Sequence, residues 1–246
     1  MAHPPSDQPA DQLPMGEGAV GPLRAAGQLR TPRAAAVAGI IFSVLLIAAL
    51  VLLRLSVPAN PALTGSWLSD PHRRAGVAIA LNLFPFAGIA FLWFIGVLRD
   101  RIGAREDRFF ATVFLGSGLL FVAMIFAAGA IAGGLLADEA ASPPEPGTLA
   151  LGRIVSATLL NVYAMRMAAV FTLTTVTIAR RTEIVSRWLT VAGLVSALVL
   201  LIGVGFSPWV ELLFPLWIMA LSIDILTGGL RLPRRAAARA PGTTAD

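Results

Sequence analysis

From position 34 onward the chain alternates between long, nearly unbroken apolar runs and short polar breaks. Six runs stand out, at 34–53, 75–98, 109–136, 154–179, 189–206 and 210–230. Each is long enough to cross a hydrocarbon core of about 30 Å at about 1.5 Å rise per residue. The fifth is the shortest, and the third is long enough to tilt. A backbone inside lipid must satisfy its own hydrogen bonds, so the runs are expected to be helices. The expected fold is therefore all-α, a six-helix transmembrane bundle over 34–230. Two polar segments flank it. Residues 1–33 are rich in Pro, Gly, Gln and Asp without apolar periodicity and read as a disordered tail, and 231–246 read as a second tail. The first run is too long for a signal-peptide core and lacks a small-residue cleavage motif in the right place.

Composition supports this reading. Hydrophobic residues make up 57% of the 246 residues and charged residues only 13%. A soluble domain of this length carries about twice that charged share. All 19 basic residues are arginine. Together with abundant Ala, Gly and Pro, this points to a GC-rich bacterial genome and hence to the bacterial cytoplasmic membrane. Cysteine is absent, which excludes disulfides, thiolate metal sites and thiol nucleophiles. The sequence pI of about 11.3 would suggest nucleic acid in a soluble protein. Here the arginines sit at span boundaries, so topology explains them and no nucleic-acid partner is expected. The bilayer is the expected partner.

The arginines also set an orientation. Arg24, Arg30 and Arg33 precede the first span, and Arg99, Arg101, Arg105 and Arg108 follow the second. Arg180, Arg181 and Arg187 follow the fourth, and Arg231, Arg234, Arg235 and Arg239 follow the sixth. The opposite ends carry Arg73, Arg74 and Arg153 and an acidic loop, ADEAASPPEPG. Basic residues favour the cytoplasmic side, so both termini are expected there. Arg54, at the outer end of the first span, is expected to snorkel to headgroups.

Small residues recur every four positions at Ala35, Gly39 and Ser43, at Gly129 and Gly133, and at Gly193 and Ala197. That spacing lets helix backbones approach closely. Pro85 and Pro215 fall inside the second and sixth spans, where each is expected to remove a backbone bond and kink its helix.

Candidate chemistry is sparse. His3 lies in the first tail and His72 in the loop SDPHRR, where it reads as an exposed loop residue. No HExxH, GxSxG, P-loop or clustered metal ligands occur, so no catalytic residue, cofactor or metal is assigned and an enzyme is not expected. The polar residue that stands out is Arg166, 13 residues after Arg153 and 14 before Arg180. A central arginine costs about 2.5–3.5 kcal/mol on insertion scales and normally faces the bundle with a partner. Tyr163, the only tyrosine, is one turn earlier on the same face. Asp224 is the one acid well inside a span, and Asn82 lies in the second span. Charge favours Asp224 as the partner, whereas side-chain tilt toward the helix N-terminus favours Asn82. The expected site is Arg166 with Asp224, flanked by Tyr163 and Asn82.

The loop GVLRDRIGAR, 96–105, resembles the G-x-x-x-D-R-x-G-R-R signature of major facilitator transporters through Gly96, Asp100, Arg101, Gly103 and Arg105. Ala104 departs from it. The resemblance implies that Asp100 and Arg101 gate cytoplasmic opening. It also implies that a six-helix chain, half the usual size, pairs as a homo-oligomer. The wider stretch at 98–124 resembles actinobacterial membrane proteins of unassigned function. These readings leave two expectations, a small-solute transporter or permease-like protein of unknown substrate, or a non-catalytic accessory subunit whose buried charges lock its packing.

Overall fold

The computed structural model describes residues 31–57, 70–102, 108–141, 146–182, 186–203, 207 and 209–237. Among them there is no strand, and all but a few residues at helix ends are helical. Helix α1 is Thr31–Ser56, α2 is Pro71–Ile102 and α3 is Arg108–Ala141. The fourth span is composite: α4 (Pro146–Thr158), a π-helical segment (Leu159–Ala164) and α5 (Met165–Thr182) follow without a break. Helix α6 is Arg187–Ile202, and a 3₁₀ turn (Val210–Leu212) leads into α7 (Leu213–Ala237).

Among the described residues, five helical stretches are long and apolar enough to cross a membrane: Arg33–Ser56, Pro71–Arg99, Phe109–Ala137, Gly147–Arg180 and Val210–Thr227. Helix α6, with 16 residues, spans only about 24 Å at ~1.5 Å per residue. The first helix starts at Thr31 and the last runs to Ala237, so both reach into the segments expected to be tails. The rest of those tails, 1–30 and 238–246, lies outside the described residues.

The helices pack in a ring. Helix α1 lies on α2 and α7, α2 on α3, and α3 on both halves of the fourth span; α6 bridges α5 and α7. The middle of the ring is filled by phenylalanines from α1, α2, α3, α5 and α7. Phe91 touches Phe42 (4.5 Å between ring centroids), Phe121 (5.3 Å), Phe171 (5.1 Å) and Phe214 (5.7 Å). Phe121 and Phe214 meet edge to face at 4.9 Å. Five of these rings, Phe42, Phe91, Phe121, Phe171 and Phe214, are fully buried. Lipid tails are as apolar as these side chains, so the cluster stabilises the bundle through close packing and ring geometry.

Small residues allow the ring to close. A Cβ on Gly39 would overlap Ser222 Oγ of α7, and one on Gly193 would meet Trp217 Nε1 and Val176 Cγ2 at 2.5 Å. The indole of Trp217 then donates to Leu189 O at 3.2 Å, tying α7 to the first turn of α6. A Cβ on Gly129 would come within 3.2 Å of Phe84 Cδ2, whereas one on Gly133 would meet open space. The threonines of α5 satisfy their hydroxyls within the helix. Thr172, Thr174, Thr175 and Thr177 each donate to the carbonyl four residues back, at 2.7–2.8 Å, an arrangement that spares the hydroxyl an unpaired burial.

The two prolines behave differently from each other. Pro85 sits within the continuous helix α2. Pro215 is the third residue of α7, just after the 3₁₀ turn. In the first turn of a helix the N–H has no intrahelical partner, so a proline there removes no helical bond.

Candidate functional site

Polar side chains gather where the end of α1 meets the 3₁₀ turn and the π segment. The first and last spans both place a charge near the same membrane face: Arg54 in the last turn of α1, Glu211 in the 3₁₀ turn. The ring closes α1 against α7, so these charges meet. Arg54 Nη2 donates to Glu211 Oε1 and, at 3.4 Å, to Asn161 Oδ1 in the π segment. The Glu211 side chain is 7% exposed and that of Arg54 is 29% exposed. The pair is therefore asymmetric: the carboxylate is enclosed and the guanidinium reaches the boundary. Glu211 Oε2 is buried without a hydrogen-bond partner among the described residues. The arginine thus does not snorkel freely, as expected from its position in the sequence, but is held by a carboxylate on the last span.

The π segment explains how Asn161 joins this site. Its i→i+5 bonding adds a residue to the turn, so everything after it is out of phase with a straight α-helical continuation of α4. Ser156, before the segment, faces α3 and donates to Ala128 O at 2.8 Å. Ala164, Met165, Ala168 and Ala169 then face the core, while Tyr163 and Arg166 are exposed.

The residues expected to form one site are dispersed. Arg166 does not face the bundle interior; it points outward from α5. Among the described residues it makes no ion pair with Asp224. The Asp224 carboxylate instead accepts the Ser186 N–H at 3.4 Å, at the N-terminus of α6. There the partial positive end of the helix supports the negative charge. Two features keep the pair apart: α6 packs against both α5 and α7, and the π segment rotates Arg166 away. Asn82 is exposed on α2, and its amide donates to Ala78 O of its own helix at 2.8 Å. Tyr163 is 54% exposed on the same outward face as Arg166. Asp100 and Arg101 lie in the last turn of α2, and 103–105 of the loop motif lie outside the described residues. His72 is exposed, and its N–H caps back to Asp70 Oδ1 at 2.9 Å. Among the described residues, no group of three or more His, Cys, Asp or Glu side chains could hold a metal ion.

Glu211 escaped the sequence reading because it lies at the first turn of its span, where an acid normally meets headgroups. The available signal was complementarity: one base at the end of the first span and one acid at the start of the last. No known protein family, curated protein or solved structure matches the chain.

Proposed function

We propose that this multi-pass membrane protein is a non-catalytic accessory subunit, a rigid six-span scaffold with both termini cytoplasmic, in a bacterial inner membrane. The observation that carries this reading is the phenylalanine cluster. Rings from α1, α2, α3, α5 and α7 occupy the bundle axis in mutual contact. A conduit needs polar groups and water along its axis, whereas a scaffold needs dense packing. The charges also suit a scaffold: Arg54 and Glu211 fasten the ends of α1 and α7 together, and Asp224 anchors α6. In this reading α6 crosses the bilayer, its short length being made up by tilt and local thinning.

A transporter is the second reading, favoured by one feature. Glu211 Oε2 is a buried carboxylate oxygen with no partner among the described residues, beside a partly exposed arginine and a π segment, and π segments recur at functional sites. A pH gradient imposed across proteoliposomes separates the readings. The scaffold should dissipate it no faster than protein-free vesicles do. Dissipation abolished by Glu211→Gln would instead support the transporter.

A further inference from the structure

We propose that the outward face of the fourth span, bearing Tyr163, Arg166 and Leu173, docks a transmembrane helix of a different protein that carries an Asp or Glu at mid-membrane depth. This rests on the accessory-subunit reading and supplies its partner.

Arg166 is exposed on the bundle's outside, where an isolated chain would present it to lipid. It stands 13 residues from Arg153 and 14 from Arg180, about 20 Å from each along a helix. Its side chain extends about 7 Å, short of the ~15 Å from the bilayer centre to the headgroups. The two acids described within the last span are already engaged: Glu211 holds Arg54, and Asp224 sits at the α6 N-terminus. A second copy of the chain fits poorly. A two-fold contact centred on this face would set Arg166 against its own copy, like charge on like. What remains is an acid brought by another helix. A carboxylate can take two parallel N–H bonds from a guanidinium, which fixes depth and rotation as well as charge. Tyr163, one turn away, and Leu173, two turns away on the other side, offer aromatic and apolar surface around that bond.

The test uses the full chain in phosphatidylcholine vesicles, with an acceptor dye on a single cysteine introduced as Thr148→Cys. The probe is a synthetic Leu/Ala transmembrane peptide of about 21 residues carrying a donor dye and one Asp at its midpoint. Controls carry Leu at the midpoint, or the Asp moved two turns toward one end. Energy transfer should report binding of the mid-Asp peptide at least about tenfold tighter than the Leu control, a modest charge-pair preference. Arg166→Leu should abolish that preference, Arg166→Lys should keep most of it, and Arg166→Asp should transfer it to a mid-Lys peptide. Equal binding of the Asp and Leu peptides, or a preference that survives Arg166→Leu, would overturn the proposal. So would quenching of a dye at position 166 by headgroup-borne spin labels, which would assign Arg166 to lipid. A water path through the bundle would overturn the scaffold reading and leave this result standing.

Discussion

Cutting the Arg54–Glu211 pair from its two sides should have unequal consequences. Arg54→Leu leaves the Glu211 carboxylate, 7% exposed, without its counter-charge. Removing one partner from a buried pair costs about 3–5 kcal/mol. Glu211→Leu leaves Arg54, whose side chain is 29% exposed and close enough to the boundary to regain water or headgroup contacts. Its loss should be roughly 1–2 kcal/mol, because the exposed partner is partly compensated by solvent. The double variant, Arg54→Leu with Glu211→Leu, removes both charges and should return to within about 1 kcal/mol of the parent, since apolar replacement of buried pairs is often near neutral. Reversible unfolding in mixed micelles, titrated with denaturing detergent, gives all four stabilities. The cycle should show a coupling of at least about 3 kcal/mol. Additive losses would mean that the pair does not form. Equal losses for the two single variants would mean that the asymmetry of burial is misplaced.

Other consequences follow from the packing and the charges. Gly39→Leu drives a side chain into Ser222 and Phe94; overpacking of this kind costs about 1–3 kcal/mol or more, read in the same detergent titration, while Gly133→Leu, which meets open space, should cost little. Phe91→Ala empties the centre of the aromatic cluster and should cost about 3–5 kcal/mol, more than truncation of the exposed Phe86. Single cysteines test orientation without background in this Cys-free chain. At Ser66 and Ser142 they should react with an impermeant thiol reagent in intact cells, and at Ala104 and Thr182 they should not; the reverse pattern inverts the topology.

Five of the six expected spans are matched by helices long and apolar enough to cross a membrane among the described residues, because lipid imposes one rule on every apolar run; the fifth run holds only the 16-residue α6. The expected run 109–136 lies within Arg108–Ala141, and 34–53 lies within Thr31–Ser56. Close approaches at Gly39 and Gly193 were legible for the same reason, since only a missing side chain lets two helices touch. The rotation of each helix was not legible. A membrane helix is apolar on its core side and on its lipid side, so periodicity says little about which face turns inward. Inside such a run a π segment leaves no pattern, and Leu159–Ala164 accordingly went unread and carried Arg166 from the expected interior to the outside. Proximity between distant charges was equally hidden. Arg54 and Glu211 are 157 residues apart, and only the closing of α1 on α7 brings them together.

The central claim is that the bundle axis is packed and dry, and water access to small buried residues measures this most directly. Ala87, Ala164 and Ala168 are fully buried on α2, the π segment and α5; a cysteine adds only one sulfur atom at each. Each variant, reconstituted in vesicles, is exposed to a small water-soluble methanethiosulfonate from one side and then from both, with Ala75→Cys, which is exposed at the start of α2, as the positive control. A scaffold filled by phenylalanine should leave all three interior cysteines unlabelled from either side while the control reacts fully. Labelling of Cys at 87 or 168, from one side or from each in turn, would show a water path along the axis and contradict the account.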